Sequence, residues 1–228
     1  MTVHRFFVSP ESAAGERFVL PTAIERQVRR VLRLGDGDRI VLLTGDGQER
    51  HCRLEAGDCV VEARRPAGGE PGYRLTVAQA LLRGDALEEV VRQGTEVGVA
   101  RFQLFVSERC VARTISPGRL DRLRTIAREA AEQSERGIVP EVDAPVRLAE
   151  VTPASVLLYE RHDGRRLGEL EPPSVVVIGP EGGFSPAEAA DAEAAGATLA
   201  GLGPRILRSS TVAVAAAAVL LSRTGDFA

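Results

Sequence analysis

The sequence contains no lysine, so arginine carries all of its side-chain positive charge apart from histidine. The 228 residues include 29 arginines and 32 acids, for a formal net charge of −3. A GC-rich coding bias suffices to explain this choice, yet guanidinium groups also bind phosphate bidentately and stack on bases. Arginines and acids balance at 11 each in residues 1–70 and at 12 each in residues 71–150. Any basic surface is therefore a local patch.

Cysteine is scarce, and long apolar runs are missing. Cys52, Cys59 and Cys110 are scattered, and no CxxC pair or Cys/His cluster has the spacing of a zinc site. No run of about 18 apolar residues is present, so we expect no membrane span. Residues 1–5 lack the pattern of a secretory signal. We therefore expect a reduced, cytoplasmic protein with no metal and no membrane contact.

A stretch rich in Pro and Gly, residues 66–72, separates two sequence patterns. The segments before it are short and strand-like: 4–8, 17–20, 39–43, 50–54 and 60–64. One helix, residues 22–34, interrupts them, with a capping-box pattern at Thr22–Glu25 and an apolar stripe of Ile24, Val28, Val31 and Leu32. The pattern predicts a small β-barrel domain over residues 1–70.

Strands alternate with helices after this linker. The predicted strands are 74–81, 102–106, 156–159, 175–178 and 198–202, and the predicted helices are 88–97, 120–136, 186–195 and 211–223. Gly94 lies inside the first of these helices, at a cost of about 1 kcal/mol relative to alanine. The alternation predicts an α/β domain over residues 73–228, with a parallel sheet whose ligands bind at the carboxyl ends of the strands.

The segment 174–188 combines the strongest signals in the chain. A continuous apolar strand ends in the glycine-rich loop 179–183, and a helix then begins with Ser185 as N-cap, Pro186 at its first position and Glu188 closing a capping box. The loop matches neither GxxxxGK[ST] nor GxGxxG, and Glu181 would place a carboxylate among phosphate oxygens. An adenosine-type ligand with a positive centre suits the loop better than a nucleotide phosphate, and a purely structural turn is the alternative.

A second loop, residues 202–211, again follows a short strand and precedes a helix. It should therefore lie at the same edge of the sheet, with Ser209 or Ser210 capping the helix. Arg208 is a solvated loop arginine or a functional one. Glu160, which follows the strand 156–159, is either a pocket residue or an ordinary loop acid.

The two loops together resemble a known family. The segments 178–184 (IGPEGGF) and 202–208 (LGPRILR) are similar to the signature motifs of the RsmE-type 16S rRNA uridine methyltransferases of the SPOUT superfamily. Segments 31–34 (VLRL), 107–110 (SERC) and 129–134 (EAAEQS) agree with further family motifs in the right order. Despite lying in or beside such a motif, Glu129, Glu132 and Arg136 are expected to form helix-surface pairs.

The resemblance implies a PUA-like β-barrel followed by a parallel-sheet SPOUT domain with a C-terminal trefoil knot. It implies a cytoplasmic homodimer that binds S-adenosyl-L-methionine, needs no metal, and acts on N3 of a uridine in 16S rRNA of the 30S subunit. The implied cofactor-binding residues are Gly179, Pro180, Glu181, Gly182, Gly183, Leu202, Gly203, Ile206 and Leu207. For this reaction Arg208, because of its position beside the glycine loop, is the candidate catalytic residue, expected to stabilise the anion that forms on the uridine carbonyls.

RNA contact is expected chiefly from the small domain. Arg26, Arg30 and Arg33 follow one another at helical spacing, on the face opposite the apolar stripe. A solvated charged face is the alternative to phosphate contact, which would position RNA without reading its sequence. Arg109, after the strand 102–106, is a further candidate for RNA binding near the ligand edge.

The chain departs from the family pattern at Ser210, where the family has glutamate, and at Gln93-Gly94, where it often has Lys-Ala. A serine cannot act as a carboxylate base, so a non-catalytic RNA-binding or ribosome-assembly factor remains an alternative. A ribose 2′-O-methyltransferase of the same superfamily is another, although those enzymes carry a Ser-Leu-Asn-rich segment where this chain has residues 206–210. The sequence leaves open the target uridine, the general base, the substrate affinities and whether activity is retained.

Overall fold

The computed structural model describes residues 3–160 and 164–227. Met1 and Thr2 of the segment searched for a secretory signal lie outside these ranges, as does His162. The chain divides into two compact units. The first contains the residues up to Glu70 together with Ala131–Val139, and the second contains Pro71–Ala130 and the residues from Pro140 onward.

The first unit is built on a five-stranded sheet. Its strands are β1 (His4–Phe7), β2 (Arg17–Val19), β3 (Arg39–Leu43), β4 (Gln48–Glu55) and β5 (Asp58–Pro66). The order is β1-β3-β4-β5-β2, with β1 and β3 parallel and the other neighbours antiparallel. Alternate residues such as Phe6, Ile40, Leu42 and Leu54 are buried in one core, as period-two strands require. All five predicted strands are present.

The helix of this unit is shorter than predicted. Helix α1 covers Thr22–Arg26, and its N-cap is Pro21 without a side-chain bond, so the expected capping box is wrong. A π-helical turn, Gln27–Val31, follows, in which the amide of Leu32 donates to the carbonyl of Gln27 at 2.9 Å. The chain then turns at Arg33, whose φ is +58°.

The π turn breaks the predicted apolar stripe. An extra residue per turn rotates the following side chains out of the helical register. Val28 is fully buried, but Val31 is 69% exposed, so its placement in the stripe is wrong. Arg26, Arg30 and Arg33 are all exposed.

The motif 129–134 contributes to the first unit through Glu132. The Glu132 carboxylate accepts a hydrogen bond from the amide of Phe7 on β1 at 2.8 Å. Arg136 is 2% exposed and pairs with Glu70 at 2.8 Å. The expectation of helix-surface pairs is therefore wrong for both residues, because residues 131–139 pack with the first unit.

The second unit contains a six-stranded sheet in which all neighbouring strands are parallel. Its strands are β6 (Thr76–Ala80), β7 (Arg101–Val106), β8 (Glu141–Arg147), β9 (Val156–Leu158), β10 (Val175–Ile178) and β11 (Thr198–Ala200), in the order β11-β9-β10-β6-β7-β8. Its helices are α2 (Ala86–Glu96), α3 (Pro117–Gln133, ending in the first unit), α4 (Pro186–Ala194) and α5 (Ser209–Arg223). The predicted parallel α/β sheet is confirmed, with β8 as an additional edge strand.

Packing explains the glycine inside α2. A Cβ on Gly94 would lie 2.7 Å from the ring of Phe102, which is fully buried on β7. The glycine therefore lets α2 approach the sheet, and this contact offsets its low helix propensity.

The predicted N-cap is correct for α4 and wrong for α5. At α4, Ser185 Oγ accepts from the amide of Glu188 at 3.2 Å, and the Glu188 carboxylate accepts from the amide of Ser185 at 2.9 Å. The predicted capping box is confirmed there. At α5 the N-cap is Arg208, without a side-chain bond, so neither Ser209 nor Ser210 caps the helix as expected.

Candidate functional site

A cavity of about 840 Å³ opens at the carboxyl ends of the central strands of the second unit. Its size is in the range of small-molecule sites. The loops after β6, β9, β10 and β11 form its walls. All ten residues predicted for cofactor and catalysis line this cavity: Gly179, Pro180, Glu181, Gly182, Gly183, Leu202, Gly203, Ile206, Leu207 and Arg208.

The glycine loop is a tight turn with a left-handed end. The amide of Gly183 donates to the carbonyl of Pro180 at 2.9 Å, and the φ of Gly183 is +63°. A Cβ at this position would lie 2.5 Å from Oε1 of Glu160, which also lines the cavity. Gly183 therefore allows both the turn and the close approach of the Glu160 carboxylate. Glu160 therefore lines the cavity, and its part in binding a cofactor stays a prediction.

Phe184 anchors the end of this loop in the sheet. Its ring is 1% exposed and stacks with Phe105 of β7, with centroids 6.3 Å apart. A Cβ on Gly179 would lie 3.1 Å from the same ring. The loop thus folds back on its own first residue, where any larger side chain would crowd the Phe184 ring.

Arg109, which follows β7, contacts the glycine loop across the carboxyl end of the sheet. Its Nη1 donates to the carbonyls of Gly182 at 3.0 Å and Phe184 at 3.3 Å. Arg109 therefore lies against the glycine loop 179–183, and the residue is half-buried. The structure therefore gives Arg109 a loop-holding contact, and its binding to RNA stays a prediction.

Glu181 ties the loop to the segment after β6. Its carboxylate accepts a hydrogen bond from the amide of Arg83 at 2.9 Å. The cavity wall also carries Asp85, Glu89 and Glu160. Among the described residues of the wall, four carboxylates stand against three arginines, which suits a ligand with a positive centre better than a phosphate.

The second loop presents an unengaged arginine at the cavity. Arg208 is exposed, and among the described residues its guanidinium has no hydrogen bond or ion pair. Its backbone is extended, with φ −65° and ψ 147°, at the N-terminus of α5. The neighbouring Ile206 is 85% exposed. The loop therefore offers a free guanidinium and an apolar side chain to whatever enters the cavity.

Several cavity residues were not singled out from sequence. Leu82, Arg83, Asp85 and Glu89, on or near the loop after β6, belong to the wall. Their position after a central strand could have identified them from the sequence, because ligands of parallel sheets bind there. Gln79 lies behind the wall, and a polar residue within an apolar strand was the signal that could have found it.

The predicted RNA-contacting arginines divide between the units. Arg26, Arg30 and Arg33 belong to the first unit, and Arg109 belongs to the second. Within residues 3–160 and 164–227, no group of three His, Cys, Asp or Glu side chains is arranged to hold a metal. In that same part of the chain, no helix is long and apolar enough to span a bilayer.

Comparison with protein-family models finds two matches. An RNA methyltransferase domain matches residues 70–221, and an RNA methyltransferase PUA domain matches residues 28–60. The first match covers more than half of the chain. The PUA match therefore lies within the first unit, and the RNA methyltransferase match covers most of the second unit together with Glu70 and residues 131–139 of the first.

Individual relatives agree with these matches. Ribosomal RNA small subunit methyltransferase E of Synechocystis sp. is 33% identical, over 94% of this chain and 76% of that protein. The Mycobacterium bovis protein of the same name is 34% identical, over 85% and 82%. The crystal structure of the Neisseria gonorrhoeae enzyme bound to S-adenosyl methionine is 29% identical, has a TM-score of 0.87 and covers 97% of this chain and 98% of that chain. By these matches, the chain belongs to the ribosomal RNA small subunit methyltransferase E family.

Proposed function

We propose that this protein transfers a methyl group from S-adenosylmethionine to N3 of a uridine in 16S rRNA of the small ribosomal subunit. The observation that carries the proposal is that both signature loops line one cavity of about 840 Å³. Family membership supports the reaction class, and the relative solved with S-adenosyl methionine supports the donor.

The chemistry of the cavity fits this donor. Apolar side chains, including Leu158, Ile178 and Leu202, provide walls for a flat ring system. The carboxylates of Glu160 and Glu181 suit a ligand that carries a sulfonium and an ammonium group. The residues proposed to hold it are those of the loop 179–183 together with Leu202, Gly203, Ile206 and Leu207.

Alignment and charge stabilisation are the tasks of the protein. S-adenosylmethionine supplies a methyl group activated by a sulfonium, and its transfer requires an in-line approach of the acceptor. We assign Arg208 to the uridine, where its guanidinium stabilises the negative charge that spreads onto the carbonyl oxygens as N3 loses its proton. Ser210 lines the cavity but carries no carboxylate, so the proton goes to another base, with Asp85, Glu89 and Glu160 as this chain's candidates.

The remaining features of the proposal concern the assembly. We propose a trefoil knot in the C-terminal part of the second unit, a homodimer, a metal-free reaction and a cytoplasmic location. The PUA-type unit is proposed to bind rRNA through Arg26, Arg30 and Arg33, which are exposed. Family membership supports these features together.

Methyl transfer to isolated 30S subunits tests the function. Purified protein is incubated with S-adenosylmethionine and unmethylated 30S subunits, and the 16S rRNA is digested and mapped by mass spectrometry. The expected product is one 3-methyluridine. A methyl group on ribose would favour the 2′-O-methyltransferase alternative. RNA binding without transfer, and without calorimetric binding of S-adenosylmethionine, would favour the non-catalytic assembly factor.

A further inference from the structure

Gln79 is a fully buried polar residue in the central strand β6, whose other fully buried residues are apolar. Its neighbours Val77, Ala78 and Ala80 on β6 are each 0% exposed, as is Gln79 itself. Parallel strands covered on both faces are normally continuous apolar runs. A buried amide is unfavourable unless it forms hydrogen bonds, so the position of Gln79 requires partners.

The partners of Gln79 lie at the cavity. Its Nε2 donates to Ser209 Oγ at 3.0 Å and to the carbonyl of Ala80 at 3.2 Å. Ser209 Oγ in turn donates to the carbonyl of Gly179 at 2.6 Å, and Gln79 Nε2 lies 3.5 Å from the same oxygen. Among the described residues, Gln79 Oε1 is buried without a partner. The amide is therefore oriented by the bonds of its NH₂ group.

These bonds join the two loops of the site. Gly179 is the first residue of the glycine loop, and Ser209 is the first residue of α5, directly after Arg208. We propose that Gln79 and Ser209 are positioning residues that fix the Gly179 carbonyl and so hold the glycine loop and the α5 N-terminus in one arrangement for S-adenosylmethionine. The inference rests on the proposed function, because it assigns these residues to that binding site.

A purely structural role would affect stability and leave the affinity for the donor unchanged. Ser155 offers a matched control for this distinction. Its hydroxyl is also buried, at 3% residue exposure, and donates to the carbonyl of Thr152 at 2.7 Å. Ser155 does not line the cavity, so Ser155→Ala removes a comparable bond away from the site.

The experiment compares binding and stability of the full-length protein and its variants. Calorimetric titration with S-adenosylmethionine and thermal unfolding are measured for the wild type, Ser209→Ala, Gln79→Leu and Ser155→Ala. We expect Kd to rise at least tenfold in Ser209→Ala and at least threefold in Gln79→Leu. Ser155→Ala should bind within twofold of the wild type, although its Tm falls about as much as that of Ser209→Ala.

Each outcome separates the possibilities. Binding by Ser209→Ala within twofold of the wild type would overturn the proposal, as would equal weakening in Ser155→Ala. Ser209→Thr keeps the hydroxyl and should bind more tightly than Ser209→Ala, and equal weakness of the two would count against the hydrogen bond. If Ser209→Ala does not unfold cooperatively, Gln79→Leu decides. A wild-type protein that does not bind S-adenosylmethionine would overturn the proposed function itself.

Discussion

Arg208 combines a fixed backbone with a free guanidinium. Its main chain begins α5, its side chain has no partner among the described residues, and the residue lines the cavity. An arginine that stabilised only the fold would be expected to pair with a nearby acid or carbonyl, as Arg109 and Arg136 do. The unengaged group is available to a substrate, which is the condition for stabilising charge in a transition state.

Replacing Arg208 by alanine should therefore affect the chemical step. We expect Arg208→Ala to lower kcat on 30S subunits by about 10²–10³-fold, the range for loss of one oxyanion donor. Affinity for S-adenosylmethionine should stay within about twofold. Arg128→Ala, which removes an exposed arginine on α3 outside the cavity wall, is the control. Full activity of Arg208→Ala would refute the assignment.

Arg109 could hold the glycine loop or bind RNA, and the sequence alone could not distinguish these two roles. Its two bonds to loop carbonyls predict that Arg109→Ala weakens S-adenosylmethionine binding by about tenfold, because charged hydrogen bonds contribute about 1.5–3 kcal/mol. Arg124→Ala is the matched control, since Arg124 Nε also donates to a carbonyl, that of Val142 at 3.2 Å. Calorimetry and rRNA binding are measured on both variants. Reduced rRNA binding with unchanged S-adenosylmethionine binding would instead support an RNA contact.

At the scale of elements, the same local capping pattern predicted one helix start correctly and another wrongly. The Ser185–Glu188 capping box closes within four residues, so the sequence specified it. Thr22–Glu25 has the same pattern, but the helix begins after Pro21 and continues into a π turn, which exposes Val31. Strand β8 escaped prediction because it is an edge strand that contains Pro145, which weakens a strand pattern.

In the site, features formed by residues adjacent in sequence were predictable, and features formed by distant residues were not. The loops 179–183 and 202–208 were predictable because glycines, a buried strand and a following helix are adjacent in sequence. The Gln79–Ser209 bond spans 130 positions, and it forms because α5 packs against β6 and β10. Long-range hydrogen bonds of this kind leave no periodic signal in a sequence.

The positive φ of Gly183 predicts that replacing this residue lowers both the stability of the fold and the affinity for S-adenosylmethionine, whereas replacing a strained glycine elsewhere lowers only the stability. Gly183→Ala places a side chain at φ +63° and should cost about 1–2 kcal/mol. Its Cβ would also displace the Glu160 carboxylate, so S-adenosylmethionine binding should weaken about fivefold or more. Gly196→Ala carries similar strain at φ +94° with no atom within 4 Å, and serves as the control.

Urea unfolding and calorimetry on the two glycine variants check this expectation. Both variants should lose similar stability, because an L-residue is strained in either position. Only Gly183→Ala should lose affinity. Equal affinity in the two variants would mean that the approach of Glu160 to the loop has no part in binding.

At the scale of the whole molecule, the cavity of the second unit and the surface of the first unit differ in their charged residues. In the part of the cavity wall that the structure describes, four carboxylates and three arginines come together, which suits a small cationic donor. The first unit balances its 11 arginines with 11 acids up to residue 70, and most of these pair with each other, as Arg17 does with Asp58 and Arg39 with Glu62. Among the described residues, Arg26, Arg30 and Arg33 are exposed and have no such pairs, and these three arginines are the basic patch proposed for the first unit.

This patch predicts how the protein binds rRNA. Phosphate contacts release counterions, so each lost contact makes log K less steep in log salt by about 0.7–0.9. We expect Arg30→Glu to weaken 16S rRNA binding about tenfold at low salt and to flatten the slope by about 1. Arg65→Glu changes the net charge equally at an exposed position on β5 and is the control. Filter binding over a salt series measures both quantities.

Because the patch belongs to the first unit, catalysis of a small uridine-containing RNA at saturating concentration should be unchanged in Arg30→Glu. Equal weakening by both reversals would mean that rRNA responds to net charge alone and would remove the α1 arginines from the interface.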